Sequence, residues 1–358
     1  MKITRSPGLP RGFVYQADRK SDFQLLAMSP GWSIPPSRGE LYLPTTDGVT
    51  IVEAELSEIE SWAVEIGGDL PTVIAGLIDG VSHPRGCFTG LSLSEPVVMG
   101  VVNVTPDSFH DGGRFDDPKV AIAHSVALIE AGAQILDIGG ESTRPGADPV
   151  SVQEEIDRVL PIIESVVGQG AVISTDTRRV EVMRAALAAG ASIVNDVTAL
   201  SEPGAIEMVR DAGASAILMH MQGSPQTMQA DPYYDHAPYE VAAYLARRVE
   251  DCERSRLSRD RIAVDPGIGF GKSDAHNFAI LSALVMLHGI RTPIVLGVSR
   301  KSFIGRTVGA NSTDDRLPGT IAATLHAVSQ GVQIHRVHDV AEIKQALSIW
   351  QVCDDANG

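Results

Sequence analysis

From Pro96 to the last helix, short runs of β-branched and aliphatic residues alternate eight times with longer amphipathic stretches. A period of two giving way to a period of 3.6, over and over, is the pattern of βα units laid into a parallel sheet. The apolar runs are Val97–Val102, Gln134–Leu136, Val172–Ser174, Ile193–Val194, Ala216–Met219, Ile262–Val264, Ile294–Val298 and Gln333–His335. They predict strands ending at Asn103, Asp137, Asp176, Asn195, His220, Asp265, Ser299 and Arg336. In the intervening stretches, Val152, Ile156, Val159 and Ile163 share one helical face, and Ile122, Val126 and Ile129 repeat the spacing. Ser151 and Glu154 are placed for a capping box. Gly132, Gly170, Gly190, Gly213 and Gly331 stand between a helix and the next strand, where a left-handed residue ends a helix at little cost.

Eight strands, each followed by a helix, is the count of a (β/α)8 TIM barrel. The chemistry argues the same way. Asn103, Asp137, Asp176, Asn195, Asp265, Lys301, Arg336 and His338 all stand at or just past predicted strand ends. In a barrel those ends form one face, where active sites are built. A doubly wound open sheet gathers its ligand groups at a switch point between neighbouring strands and would scatter the others. The α/β barrel is therefore the predicted fold.

The chain of 358 residues exceeds the ~250 of a typical barrel. The surplus lies at the N-terminus, and the predicted division is an extension over 1–90 and a barrel over 91–358. In the extension, Leu41–Leu43 and Thr50–Ala54 read as short strands around the turn Asp47-Gly48, Ser57–Ile66 as a helix, and Pro71–Leu77 as a helix or strand. It carries no chemical constellation and is expected to pack on the barrel or form a small β-rich unit.

The net charge of −16 argues against a nucleic-acid partner, which calls for a basic face, but leaves room for a small anionic substrate. No apolar run approaches the ~20 residues of a membrane span, and Met1–Pro10 has no signal-peptide core. Cys87, Cys252 and Cys353 show no metal or redox spacing, so a reducing cytoplasm is the expected location.

Several loops after strands carry candidate chemistry. Asn103–Phe109, followed by Asp111-Gly112-Gly113, offers oxygen ligands suited to Mg²⁺, although taken alone that loop reads first as an ordinary βα turn. In Asp137–Gly146, two glycines permit close backbone approach and Arg144 offers a fork for carboxylate or phosphate. Asp176, Asn195 and Asp265, one from each of three strand ends, need donors once buried, and a ring with N–H groups and an exocyclic amine supplies them. Asp265–Lys272 combines three glycines with Phe270. It is not a phosphate-binding P-loop, because Gly267 precedes Gly271 by four residues rather than five. Ser299–Ser302 and Arg336–Asp339 place basic groups after the last two strands, the usual phosphate position of this fold.

In these strings, and in Ser174–Thr177, Met219–Gln222 and Arg336–Val340, the chain resembles the dihydropteroate synthases, a family of pterin-binding enzymes. The resemblance extends from about Pro96 to the last helix, and its motifs occur in the family's order. It implies condensation of a pterin diphosphate with p-aminobenzoate, release of diphosphate, and a place among sulfonamide targets. It further implies that Asp176, Asn195, Asp265 and Lys301 hold the pterin, with Met219 packed on its ring. Asn103 would ligate Mg²⁺. Arg336 and His338 would hold the diphosphate, with Arg144 nearby and Asp111 ordering the first loop. Phe109, Thr143, Pro145, Phe270 and Ser302 would surround p-aminobenzoate. Asp137 would orient its neighbours, and a homodimer is expected. Two features depart from the pattern: His110, where a small polar residue is usual, and the extension itself. A pterin-dependent methyltransferase on the same barrel and a pterin-binding homologue without catalysis are the alternatives. The basic residues after the last two strands speak against the first. The presence of Asn103, Phe109, Arg144, Lys301 and Arg336 speaks against the second.

Overall fold

The computed structural model describes residues 2–7, 19–28, 36–45, 48–82, 85–104, 118–142, 149–310 and 312–355. The first strands are β1 (Lys2–Pro7), β2 (Gln24–Met28), β3 (Arg38–Thr45) and β4 (Gly48–Glu55), followed by the helices α1 (Leu56–Ile66) and α2 (Leu70–Ser82). They form one sheet in the order β1-β4-β3-β2, in which only the β1–β4 pair is parallel. Strand alternation gives this sheet two apolar faces. Leu25, Leu41, Leu43 and Val52 pack with Ile59, Trp62 and Ile74 of the two helices. Tyr42, Val49 and Ile51 point the other way, into the large cluster that also contains Tyr239, Leu287 and Ile290 of the barrel. Tyr42 stacks on Tyr239 with ring centroids 5.8 Å apart. The predicted turn at Asp47 lies outside the described residues, and β2 was not legible in the sequence as a strand.

A two-residue hairpin, β5 (Cys87–Phe88) and β6 (Leu91–Ser92), leads into the barrel. The eight barrel strands are β7 (Val97–Asn103), β8 (Ile135–Gly139), β9 (Val172–Asp176), β10 (Ile193–Asp196), β11 (Ser215–Met219), β12 (Ile262–Asp265), β13 (Val295–Gly297) and β14 (Ile334–Val337). All pair in parallel in the order β12-β11-β10-β9-β8-β7-β14-β13, and a parallel bridge from Val264 to Ile294 closes the ring. The helices between them are α3 (Pro118–Glu130), α4 (Val152–Val166), α5 (Val180–Ala188), α6 (Ala205–Asp211), α7 (Ala237–Arg254), α8 (Asp274–Ser282), α9 (Ser302–Val308), α10 (Leu317–Ser329) and α11 (Val340–Asp355). The fold is the TIM barrel expected from the alternation. Among the described residues, no helix is long and apolar enough to cross a membrane.

Period-two alternation sorts the barrel residues. Val97, Met99, Ile135, Ile193, Ile217, Ala263, Val295 and Ile334 fill the interior, and Phe88 and Leu93 close its floor. Each such side chain contributes ~1.5–3 kcal/mol by leaving water. Val98, Val102, Leu136 and Ile138 face outward onto the helices.

Three local expectations are corrected. β8 continues two residues past Asp137, so Asp137 lies inside the barrel wall rather than at its lip. β13 stops at Gly297 instead of Ser299, because the backbone turns there and Arg300 takes a positive φ of 58°. β11 ends at Met219, one residue short of His220. Two helices are also rotated from their predicted faces. α4 buries Glu155, Val159, Ile162, Ile163 and Val166, leaving Val152 and Ile156 half-buried; α3 buries Ala121, Ser125 and Leu128. Glu155 can face inward because Arg179 Nη1 lies 3.1 Å from its carboxylate. Ser151 caps α4 through the Glu154 N–H at 3.2 Å, which is one half of the predicted box.

Candidate active site

The same alternation that fills the floor with aliphatic side chains raises a polar layer above it. Counting up by two from Met99, Ile135, Ile193, Ala263 and Ile334 leads to Asn103, Asp137, Asn195, Asp265 and Arg336. Strand register aligns several of them: Asn103 pairs with Gly139, Gly139 with Asp176, Asp176 with Asn195, and Met219 with Asp265. Gly139 keeps this layer open, since a Cβ there would lie 3.2 Å from the Asp176 Cβ.

Arg336 organises the layer. Its Nε donates to Asp137 Oδ2 at 2.6 Å and its Nη2 to Asp176 Oδ2 at 2.8 Å. Asp137 is fully buried and also accepts from Ser174 Oγ at 2.7 Å and Asn195 Nδ2 at 3.0 Å. Four strands are thus joined through one carboxylate. Burial works against the Arg336 charge, but Asp137 and Asp176 together hold its pKa above the ordinary arginine value. Burial, with the Asp137 charge beside it, pushes the Asp176 carboxyl up to about 7 against the pull of Arg336.

Across the mouth, Asp265 accepts the Gly267 N–H at 2.7 Å. Burial raises its pKa, offset in part by Lys301 and by that N–H. Lys301 donates to the Ile268 carbonyl, and its Nζ lies 4.9 Å from the centroid of the Phe270 ring. Burial lowers the Lys301 ammonium to about 8, with Asp265 acting the other way. Met219 is buried on the wall between these two halves. His338 Nδ1 lies 3.0 Å from Ser299 Oγ, and Ser302 is exposed at the start of α9. The result is a polar mouth in which Asp176 and Asn195 stand on neighbouring strands, Asp265 on another, and the cations Arg336 and Lys301 side by side near Gly297. Such a slot suits a flat heterocycle rich in N–H donors.

The comparisons with known proteins agree. The sequence profile of the family described as "Pterin binding enzyme" matches residues 99–338. The dihydropteroate synthase of Escherichia coli (strain K12) is 45% identical over 262 residues, 73% of this chain and 93% of the relative. Among solved structures, Xanthomonas albilineans dihydropteroate synthase with 4-aminobenzoic acid superposes with a TM-score of 0.70 at 46% identity, covering 74% of this chain and 95% of that one. The Xanthomonas albilineans enzyme in complex with 7,8-dihydropteroate gives 0.68 at 43% identity, covering 74% and 95%. The chain belongs to the dihydropteroate synthase family of pterin-binding enzymes.

Of the residues that the family resemblance singles out, the structure brings together Asp176, Asn195, Met219, Asp265, Phe270, Lys301, Arg336 and His338, with Asn103 and Ser302 at the rim. Phe109, His110, Asp111, Thr143, Arg144 and Pro145 lie outside the described residues. The sequence reading placed Ser174 in the family string Ser174–Thr177 but gave it no role; its hydroxyl fixes Asp137, and its place two residues before Asp176 on the inward face was the available signal. It also missed Lys272, noted only as the end of a glycine-rich string.

In a dihydropteroate synthase Mg²⁺ would be carried in with the diphosphate. Among the described residues no group of three or more His, Cys, Asp or Glu side chains could hold a metal ion. Asn103, half-buried at the end of β7, presents one amide oxygen. A single hard oxygen fits an ion held mainly by phosphate and water, as Mg²⁺ commonly is, rather than an all-protein cage.

Proposed function

We propose that the chain condenses 6-hydroxymethyl-7,8-dihydropterin diphosphate with p-aminobenzoate, giving 7,8-dihydropteroate and diphosphate for folate biosynthesis. The observation that carries this reading is the carboxylate-lined slot, in which Asp176 and Asp265 stand with Asn195, Met219 and Lys301. The pterin's ring N–H groups and exocyclic amine would donate to the two carboxylates, and Asn195 would complete the edge. Lys301 would donate to a ring acceptor once a ligand replaces its contact with the Ile268 carbonyl.

The CH2–O bond to diphosphate breaks, and the aniline nitrogen forms the new C–N bond and then gives up a proton. Positive charge on the reacting carbon spreads into the ring, and the carboxylates of Asp176 and Asp265 favour that charge. Asn103 would hold Mg²⁺, which when bound supplies positive charge to the departing diphosphate oxygens. Arg336, which also donates to Asp137 and Asp176, would hold the leaving diphosphate together with His338, with Arg144 nearby. Phe270, Phe109, Thr143, Pro145 and Ser302 would line the p-aminobenzoate side, with Asp111 ordering the first loop. The reading includes a homodimer in the cytoplasm. Cys87 and Cys252, which form no disulfide, support a reducing compartment, and Val308, Ile349 and Val352 leave apolar surface on outer helices for a second copy.

The test is dihydropteroate formation by the purified chain with both substrates and Mg²⁺, with and without EDTA. Product that disappears on chelation is the expected outcome. Pterin binding without product would favour the non-catalytic homologue, and failure to bind pterin would refute the slot.

A further inference from the structure

Lys272 has no part in the chemistry above, yet it is only 2% exposed, and among the described residues no carboxylate pairs with it. Its Nζ lies 2.9 Å from the Gly267 carbonyl, 2.9 Å from the Phe270 carbonyl, 3.3 Å from the His220 carbonyl and 2.9 Å from His220 Nδ1. Four acceptors thus surround three donors. The turn 267–271 can wrap a cation so closely because its glycines at 267, 269 and 271 take φ of 65°, 84° and 62°. A Cβ on Gly267 would fall 1.9 Å from the His220 carbonyl oxygen, and one on Gly271 2.4 Å from that of Gln222. The turn therefore lies backbone against backbone on the segment 220–222.

Every carbonyl of the turn has a donor. Besides the two held by Lys272, Ile268 is held by Lys301, Gly269 by Gln229 at 2.6 Å and Gly271 by Tyr234 at 2.9 Å. Two of these contacts reach the site directly: the Ile268 carbonyl holds Lys301, and Phe270 faces its ammonium. The segment on the other side of Lys272 begins at Met219, the wall of the slot. We propose that Lys272 is a positioning residue, whose ammonium crosslinks the 267–271 turn to the 219–222 segment and thereby sets Phe270 and Lys301 for substrate binding. The inference rests on the dihydropteroate synthase reading. The charged groups that face Lys272 are Lys301 and Asp265, with the His220 imidazole in contact. Burial first, then repulsion by Lys301, lowers the Lys272 ammonium well below its ordinary value.

Lys272→Met keeps the unbranched side chain, one atom shorter, and removes the charge and all four contacts. Steady-state dihydropteroate formation by the full chain and by this variant, with p-aminobenzoate varied, tests the proposal. A KM for p-aminobenzoate raised by about tenfold or more is expected, as for other residues that orient a site from behind. Because Lys272 touches no reacting atom, kcat should change by less than about twofold while KM rises. A stability change alone would lower kcat and leave KM in place. A folded variant, by circular dichroism, with KM unchanged overturns the proposal. Should Lys272→Met fail to fold, Tyr234→Phe removes only the donor to the Gly271 carbonyl. A smaller rise in the same KM supports the clamp, and no rise overturns it. If the wild type forms no product, the reaction assignment fails separately, and Lys272 is judged by pterin affinity in calorimetry, where equal values for wild type and variant overturn it.

Discussion

Replacing Asp137 by Asn should change both the strength of pterin binding and its dependence on pH. Asp137 is 0% exposed and accepts from Arg336 Nε, Asn195 Nδ2 and Ser174 Oγ at 2.6, 3.0 and 2.7 Å. An Asn amide oxygen in place of Oδ2 keeps the first two bonds, and its NH2 can donate to the Ser174 hydroxyl, which accepts as readily as it donates. What is lost is charge. The bond stays charge-assisted from the guanidinium side, so Arg336 loses the coulombic pull of one opposite charge, about one pKa unit or ~1.4 kcal/mol. Carried through to the ligand, that is about a 5–30-fold loss of affinity above neutral pH.

Asp176 acts in the opposite direction. Its carboxyl, raised to about 7 by burial and then by Asp137, is protonated in the empty site below that pH and ionised above it. Ring N–H donors require the ionised form, so wild-type affinity should rise as pH rises through about 7. Binding below that pH should release a proton. Removing the Asp137 charge lowers the Asp176 pKa by about one unit or more, as loss of a neighbouring like charge does. The variant therefore keeps its affinity further into acid, and its deficit shrinks or reverses at about pH 6, one unit being worth about 1.4 kcal/mol. Calorimetric titration with a pterin ligand at two pH values, in two buffers of different ionisation heat, reads affinity and proton release together. An equal deficit at both pH values, with no proton released by the wild type, would refute the reasoning.

Arg336→Ala should destabilise the fold as well as weaken binding, because it leaves Asp137 and Asp176 without their shared cation; removing one partner of a buried pair costs about 3 kcal/mol or more. The loss should be smaller in acid, where Asp176 takes up a proton, and a urea midpoint equal to that of the wild type at neutral pH would contradict it. Tyr42→Ala, at a residue 1% exposed and stacked on Tyr239, should cost about 3 kcal/mol, as aromatic truncations in cores do. Unchanged urea unfolding would mean that the N-terminal sheet does not share the barrel's core.

Much of the barrel was legible because its strands are short and buried on both faces, and because half of them end on a polar residue. Asn103, Asp176, Asn195 and Asp265, the predicted ends, stand at or within one residue of the strand ends in the structure. The helix faces were harder to read. Aliphatic spacing pointed to Val152 and Ile156, but α4 turns Glu155 inward to Arg179, an ion pair that no periodicity reports. Strand β2 escaped notice because Gln24 interrupts its apolar pattern; buried in the structure, Gln24 donates to the Ser21 carbonyl at 2.7 Å.

The sequence by itself determined the period of each segment, and with it which side chains face the barrel interior and which polar residues crown it. Alternation is a local property of the backbone, set residue by residue. The partners of those residues were decided only by the tertiary structure. Arg336 meets Asp176 across 160 positions of chain and Asp137 across 199, because β14 pairs with β7 and the ring closes through Val264 and Ile294. Likewise, nothing local marks Lys272 as buried. Its four acceptors converge only when the turn 267–271 is pressed onto 220–222, a contact made when β11 and β12 pair side by side.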